Sequence, residues 1–139
     1  MSIKRFTSIL CLAAICCAQV ACKKDEDKPS QQTPTQILLS HSWKKTGYKE
    51  NNVSQTIAAC ELDDVLTFSS NNTQTVDRGT IKCGAEAQTF TDGWSLSADN
   101  KTIIILSVIG TGELVSIDDN QFVVKRTGAT TFEYIFSKK

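Results

Sequence analysis

The sequence predicts an all-β domain, either a sandwich or an up-and-down barrel of about eight antiparallel strands. Three observations predict it. From Trp43 onward, short runs rich in Thr, Val, Ile and aromatic residues recur about 8 to 12 residues apart. In some of the runs, Leu66 with Phe68 and Phe132 with Tyr134 and Phe136, apolar residues recur at every second position, the period of a strand. Clusters of Asn, Asp, Ser and Gly separate them, and no helical run lies between.

The chain of 139 residues opens on a different pattern. Lys4 and Arg5 precede the largely apolar stretch Phe6 to Ala21, which ends Val20-Ala21-Cys22 and gives way at once to Lys23-Lys24-Asp25-Glu26-Asp27-Lys28. A basic head, an apolar centre and a small residue before a cut read as a signal peptide over residues 1–21. The apolar run is interrupted by Thr7, Ser8 and Gln19, and a membrane span needs about 20 predominantly apolar residues. Cys22 directly after the cut resembles the acylated cysteine of bacterial lipoproteins, although Gln19 stands where that pattern usually has Leu. Cys22 is therefore the expected lipidation site and the expected route to a membrane. Two or three acyl chains there would make attachment lasting, whereas one chain binds only reversibly.

Residues 22–36 read as a disordered tether. Lys23 to Gln36 carries nine charged or Gln residues, Pro29 and Pro34, and no apolar residue. Such a segment cannot bury enough surface to fold. Lys24-Asp25-Glu26-Asp27 resembles the tag that exports some lipoproteins of the Bacteroidota to the cell surface. The expected address is the outer membrane, on its periplasmic or its surface face.

Cutting after Ala21 removes Lys4 and Arg5 and leaves 13 basic against 15 acidic residues, a net charge of −2. Nucleic-acid binding calls for a basic patch, which this balance does not supply. Of the six cysteines, Cys11, Cys16 and Cys17 leave with the signal and Cys22 is the lipid site. Cys60 and Cys83 remain, an even pair in an exported protein, and a disulfide between them is expected. A two-cysteine metal site would lack partners, because His41 is the sole histidine and no Cys-x-x-Cys spacing occurs.

Residues 37–139 form the expected barrel domain. A short helical turn at Thr35 to Leu39 precedes the first strand, Trp43 to Glu50. A polar loop, Asn51 to Glu61, leads to the strand Asp64 to Phe68, with Leu66 and Phe68 on one face. Ser69-Ser70-Asn71-Asn72 is a turn, because Asn tolerates positive φ. Thr73 to Asp77 returns, and a loop with Gly79, Cys83 and Gly84 follows. Gln88 to Leu96 is the next strand, then the turn Ala98 to Lys101. Thr102 to Ile109 is rich in β-branched residues and reads as one strand, ended by Gly110-Thr111-Gly112. Glu113 to Ile117, Gln121 to Arg126 and Thr131 to Phe136 complete the set. In the last, Phe132, Tyr134 and Phe136 share a face.

Leu39-Ser40-His41-Ser42-Trp43-Lys44 resembles the opening of lipocalin-like domains. Cys60-Glu61-Leu62-Asp63-Asp64-Val65-Leu66-Thr67-Phe68, then Cys83, then Gly93-Trp94-Ser95-Leu96-Ser97, resembles the lipocalin-like lipoproteins of the Bacteroidota. The resemblance spans roughly Leu38 to Lys139. It implies an eight-stranded antiparallel up-and-down barrel and, by analogy of fold, a small apolar ligand. It also implies a basic residue, Arg126 or Lys125, covering Trp43 through a cation–π contact.

No reactive centre is legible. His41 has no neighbouring carboxylate or cysteine motif and reads as a surface or packing residue. Asp63 and Asp64 are adjacent, so on a strand they would point to opposite faces. Asp118-Asp119-Asn120 reads as a turn and lacks the spacing of a calcium loop. Gly110-Thr111-Gly112 lacks the Lys of a phosphate loop, and no Gly-x-Ser-x-Gly occurs. No cofactor or metal is expected, and binding is favoured over catalysis. Trp43, Leu66, Phe68, Trp94, Leu96, Phe122, Phe132 and Tyr134 are the candidates to line a ligand cavity. The simpler reading is that they fill the barrel, since eight strands can be packed by their own side chains. In that case the protein would be an interaction module for another envelope protein, using the loops Asn51 to Glu61 and Thr80 to Ala87.

Overall fold

Residue 43 sets the architecture: Trp43 is fully buried, and strands close around it from both sides. The computed structural model describes residues 31–139. The expected signal segment, Cys22 and most of the tether lie outside the described residues.

Helix α1 (Pro34–Ser40) comes first. Thr33 and Gln36 cap it reciprocally: Thr33 Oγ1 accepts from the Gln36 amide and Gln36 Oε1 accepts from the Thr33 amide. Pro34 suits the first helical position because its missing N–H would have no partner there. The helix thus starts one residue before the expected turn. Strands β1 (Ser42–Glu50), β2 (Val53–Ser54), helix α2 (Ala59–Leu62), β3 (Val65–Phe68), β4 (Thr73–Asp77) and β5 (Thr89–Leu96) follow. Then come β6 (Thr102–Ile105), β7 (Gly110–Ile117), β8 (Gln121–Arg126) and β9 (Phe132–Lys138).

Every ladder is antiparallel. From β3 to β9 each strand pairs with the next, and β1 pairs with both β3 and β9, which closes a ring of eight. Of the two architectures open to the sequence, the barrel is the one observed. The two-residue β2 hangs on the far half of β1 and is extra to the ring. The β1–β9 ladder runs from Trp43↔Lys138 to Glu50↔Phe132 and is interrupted by a bulge between Lys45 and Gly47. Gly47 is required there, because a Cβ would sit 2.7 Å from Ile135 Cδ1.

Two expectations need correction. The strand expected over Thr102 to Ile109 ends at Ile105, and Leu106 to Ile109 form a turn with Ser107 at φ +59°. Side chains from other strands hold that turn. Buried Gln74 donates to the Leu106 carbonyl, and the Ser107 hydroxyl donates to Asp92. Gly110 and Gly112, expected to break the sheet, belong to β7. Gly112 lets β7 approach β8, since a Cβ would lie 2.6 Å from Val124 Cγ1.

One half of the barrel is filled. Trp43 meets Phe122 edge-on at 4.9 Å, Phe122 stacks on Phe136 at 4.7 Å, and Phe68 packs between Trp94 and Phe122. Ile103, Ile105, Leu114 and Val124 complete this core. Each such pair of rings contributes about 0.5–1.5 kcal/mol beyond its buried area. Helix α1 seals this end with Leu38, whose carbonyl accepts from Trp43 Nε1 at 3.1 Å.

Candidate functional site

The other end of the ring is an open mouth. Counting by twos from Trp43 places Lys45 inside, opposite Phe136. Beyond the bulge, Tyr48 faces inward opposite Tyr134. From Leu66 on β3 and Val76 on β4, the same period carries the inward row to Asp64 and Arg78, one residue past the strand ends, and both line the interior. The interior therefore passes from aromatic and aliphatic at the sealed end to charged at the mouth.

A cavity of about 100 Å³ lies at this transition. Trp43, Leu66, Val76, Phe90, Val108 and Phe136 supply its apolar walls. Lys45, Glu61, Asp64, Arg78 and Ser107 supply its polar ones. An adjoining outer space of about 250 Å³ is lined by Lys45, Tyr48, Glu61, Val108 and Tyr134. Tyr48 lies parallel to Phe132 at 6.1 Å and 5.5 Å from Tyr134, so the β1–β9 side of the mouth is an aromatic wall. Burial pushes the Tyr134 hydroxyl above its ordinary pKa.

Two cations and their carboxylate partners frame the opening. Lys45 Nζ donates to Glu61 at 3.1 Å. Arg78 donates to Asp64 at 3.2 Å, meets Glu86 at 3.0 Å and lies over the Phe90 ring at 4.8 Å. Burial raises the Asp64 carboxyl, and the Arg78 guanidinium opposes that shift without cancelling it. Asp64 Oδ1 and Arg78 Nε are buried without a hydrogen-bond partner among the described residues.

The loops bearing these carboxylates are stapled together. Cys60 and Cys83 form the expected disulfide. Glu61 follows Cys60 directly in α2. Asp63 accepts from the amides of Ile81 at 3.0 Å and Thr80 at 2.6 Å, and these donors hold its carboxyl below the usual range. Asp63 and Asp64 thus serve different partners and form no acid pair.

The candidate lining residues fall into groups. Trp43 and Leu66 reach the cavity, and Tyr134 reaches the outer space. Phe132 stands at the rim. Phe68, Trp94, Leu96 and Phe122 lie in the filled half. Besides Trp43 and Leu66, the cavity is lined by residues outside the candidate set: Lys45, Glu61, Asp64, Val76, Arg78, Phe90, Ser107, Val108 and Phe136. Lys45 and Arg78 lie two residues beyond Trp43 and Val76, and that spacing was the available signal.

The cation expected over Trp43 sits elsewhere. Arg126 lies 5.1 Å from the Phe132 ring centroid and donates to the Ile109 carbonyl at 3.1 Å. Lys125 is in register with Glu113 and Glu133, on the opposite face of β8 from Val124. The neighbours of Trp43 are instead Phe122 and the ring of His41. His41 Nε2 is 2.6 Å from Asp119, which Lys138 also contacts. Asp118 accepts from the amides of Asn120 and Gln121, as a turn residue does. Among the described residues, no three His, Cys, Asp or Glu side chains gather as a metal site.

No curated protein and no solved structure matches the chain. A family model described as a lipocalin-like domain matches residues 39–124, from the end of α1 through most of β8. With that match over more than half its length and a closed antiparallel ring of eight strands, the chain belongs to the lipocalin-like domain family.

Proposed function

We propose that the protein is an envelope lipoprotein that holds a small molecule in the mouth of its barrel. The observation that carries the binding half is the divided interior: one end is packed solid and sealed by α1, while the other keeps a cavity with an apolar base and a charged rim. Ligand pockets characteristically combine apolar walls with a few placed polar groups. The rim favours an amphipathic molecule over the wholly apolar one that analogy of fold suggests. A long lipid chain has no room, because the cavity ends on Trp43. The anchor half rests on the basic head, the apolar run and Cys22 followed by a polar tether. The acidic run after Cys22 supports placement on the outer membrane, in the manner of the Bacteroidota.

Native mass spectrometry of protein purified from its own envelope tests the binding half. A retained small mass is the expected result. Absence of any retained mass, with no uptake of a naphthalene-sulfonate dye, would leave the barrel as a scaffold for a protein partner, with exposed Val53, Leu62 and Ile81 as its contact surface. Metabolic labelling with an alkynyl fatty acid tests the anchor: the label should enter the protein and be lost in Cys22→Ser.

A further inference from the structure

Lys45 stands at the junction between the inner cavity and the outer space, where it lines both together with Glu61 and Val108, and it is the one cation of the three. Its side chain is 17% exposed, and its Nζ lies 6.0 Å from the centroid of the Tyr134 ring. A partly buried ammonium needs an anion beside it. Glu61 supplies that anion, yet Glu61 is 41% exposed on a helix of four residues. Its carboxylate can turn into solvent at small cost. Arg78 differs, because its inner partner Asp64 is only 17% exposed and stays with it. Glu86, the outer partner of Arg78, is 48% exposed and could turn away too, but Asp64 would remain; among the described residues Lys45 has Glu61 alone, so it is the framing cation left without a carboxylate when its counter-ion turns away.

The space beyond Lys45 limits what can enter. A cavity of about 150 Å³ accommodates benzene. The inner chamber, about 100 Å³, is smaller than that and ends on Trp43, Leu66, Val76 and Phe136. It matches a short branched alkyl group. From these observations, and resting on the binding role proposed above, we infer that the ligand is a short amphiphilic carboxylate whose head replaces Glu61 on Lys45 and whose branched end rests on Trp43. Exchange of one carboxylate for another keeps the charge at Lys45 balanced. Lys45 is then the residue that sets head-group specificity, and Glu61 is the internal competitor.

The test compares isocaproate, isocaproamide and palmitate by NMR titration of the full mature protein. Isocaproate should bind at least about tenfold more tightly than isocaproamide, the value of a hydrogen bond to a charged group. Glu61→Gln should tighten isocaproate binding by removing the competitor. Lys45→Met should erase the preference for the acid, with circular dichroism confirming that the barrel is intact. Equal affinity for acid and amide, weaker isocaproate binding by Glu61→Gln, or tighter binding of palmitate would each overturn the inference and leave the cavity reading standing. Binding of none of the three would overturn the inference, and with no retained mass in the native spectrum it would overturn the cavity reading as well.

Discussion

The indole nitrogen of Trp43 donates to the carbonyl oxygen of Leu38 at 3.1 Å, and both residues are fully buried. This bond ties the helix that seals the barrel to the strand that closes it. Trp43→Phe keeps an aromatic ring there but leaves the Leu38 carbonyl without its donor. The cost should be about 1–3 kcal/mol, read as a lower midpoint in urea unfolding. Leu38→Ala should cost about 2–5 kcal/mol, since it opens a void beneath the same indole.

The Cys60–Cys83 bridge spans a separation of 23 residues. In the chain-entropy model a loop of that size contributes about 3 kcal/mol. Cys60→Ser/Cys83→Ser should therefore unfold at lower temperature than the oxidised protein. Reductant should lower the melting temperature of the parent protein and leave that of the double variant unchanged. The loss should also appear as faster amide exchange at Thr80 and Ile81, whose N–H groups are held by Asp63 across the staple.

Gly112→Ala should destabilise by about 1–3 kcal/mol, because the added methyl meets Val124 Cγ1 and the Lys125 carbonyl. The conflict lies between two paired strands, so the wall of the barrel must shift to relieve it. Gly84→Ala, where an added Cβ meets nothing within 4 Å, is the control and should leave the melting temperature unchanged.

Acid should act on the loops of the mouth. The folded-state pKa of Asp63 lies below its ordinary 3.8, so its contribution is present above 3.8 and is lost as pH falls through the depressed value. Asp64 has the opposite sign. Its pKa is raised, so its contribution is present below 3.8 and is lost as pH rises through the raised value. Asp63→Asn should lower the melting temperature at neutral pH and converge with the parent protein well below 3.8. A constant offset between the two across that range would contradict this assignment.

The strands of the ring were legible because β-branched and aromatic runs, several with apolar residues at every second position, are mostly bounded by residues suited to turns. Asn72 and Asn100 adopt φ of +62° and +58°, as the turn readings require. The end of β6 was not legible. Leu106 to Ile109 continue a strand-like composition, and what turns them is Gln74 and Asp92, contributed by other strands. Local pattern carries no information about such partners. The mouth was half legible. Aromatic character marks Trp43 and Tyr134, whereas Lys45 and Arg78 are marked only by lying two residues beyond the inward Trp43 and Val76. Glu61 was hidden for a further reason, since it comes from the four-residue helix α2, which is tied to the distant Cys83.

The extended ladder between β1 and β9 joins the two ends of the folded domain, while β1 and β3 share only two register positions. A polypeptide emerging N-terminus first, from a ribosome or a translocation pore, offers β1 only the two-position ladder with β3 until β9 is free. Closure of the ring must then wait for β9, which favours slow, non-local folding. Truncation before Phe132 would strand β1 as a bare edge, ready to pair with a neighbouring molecule.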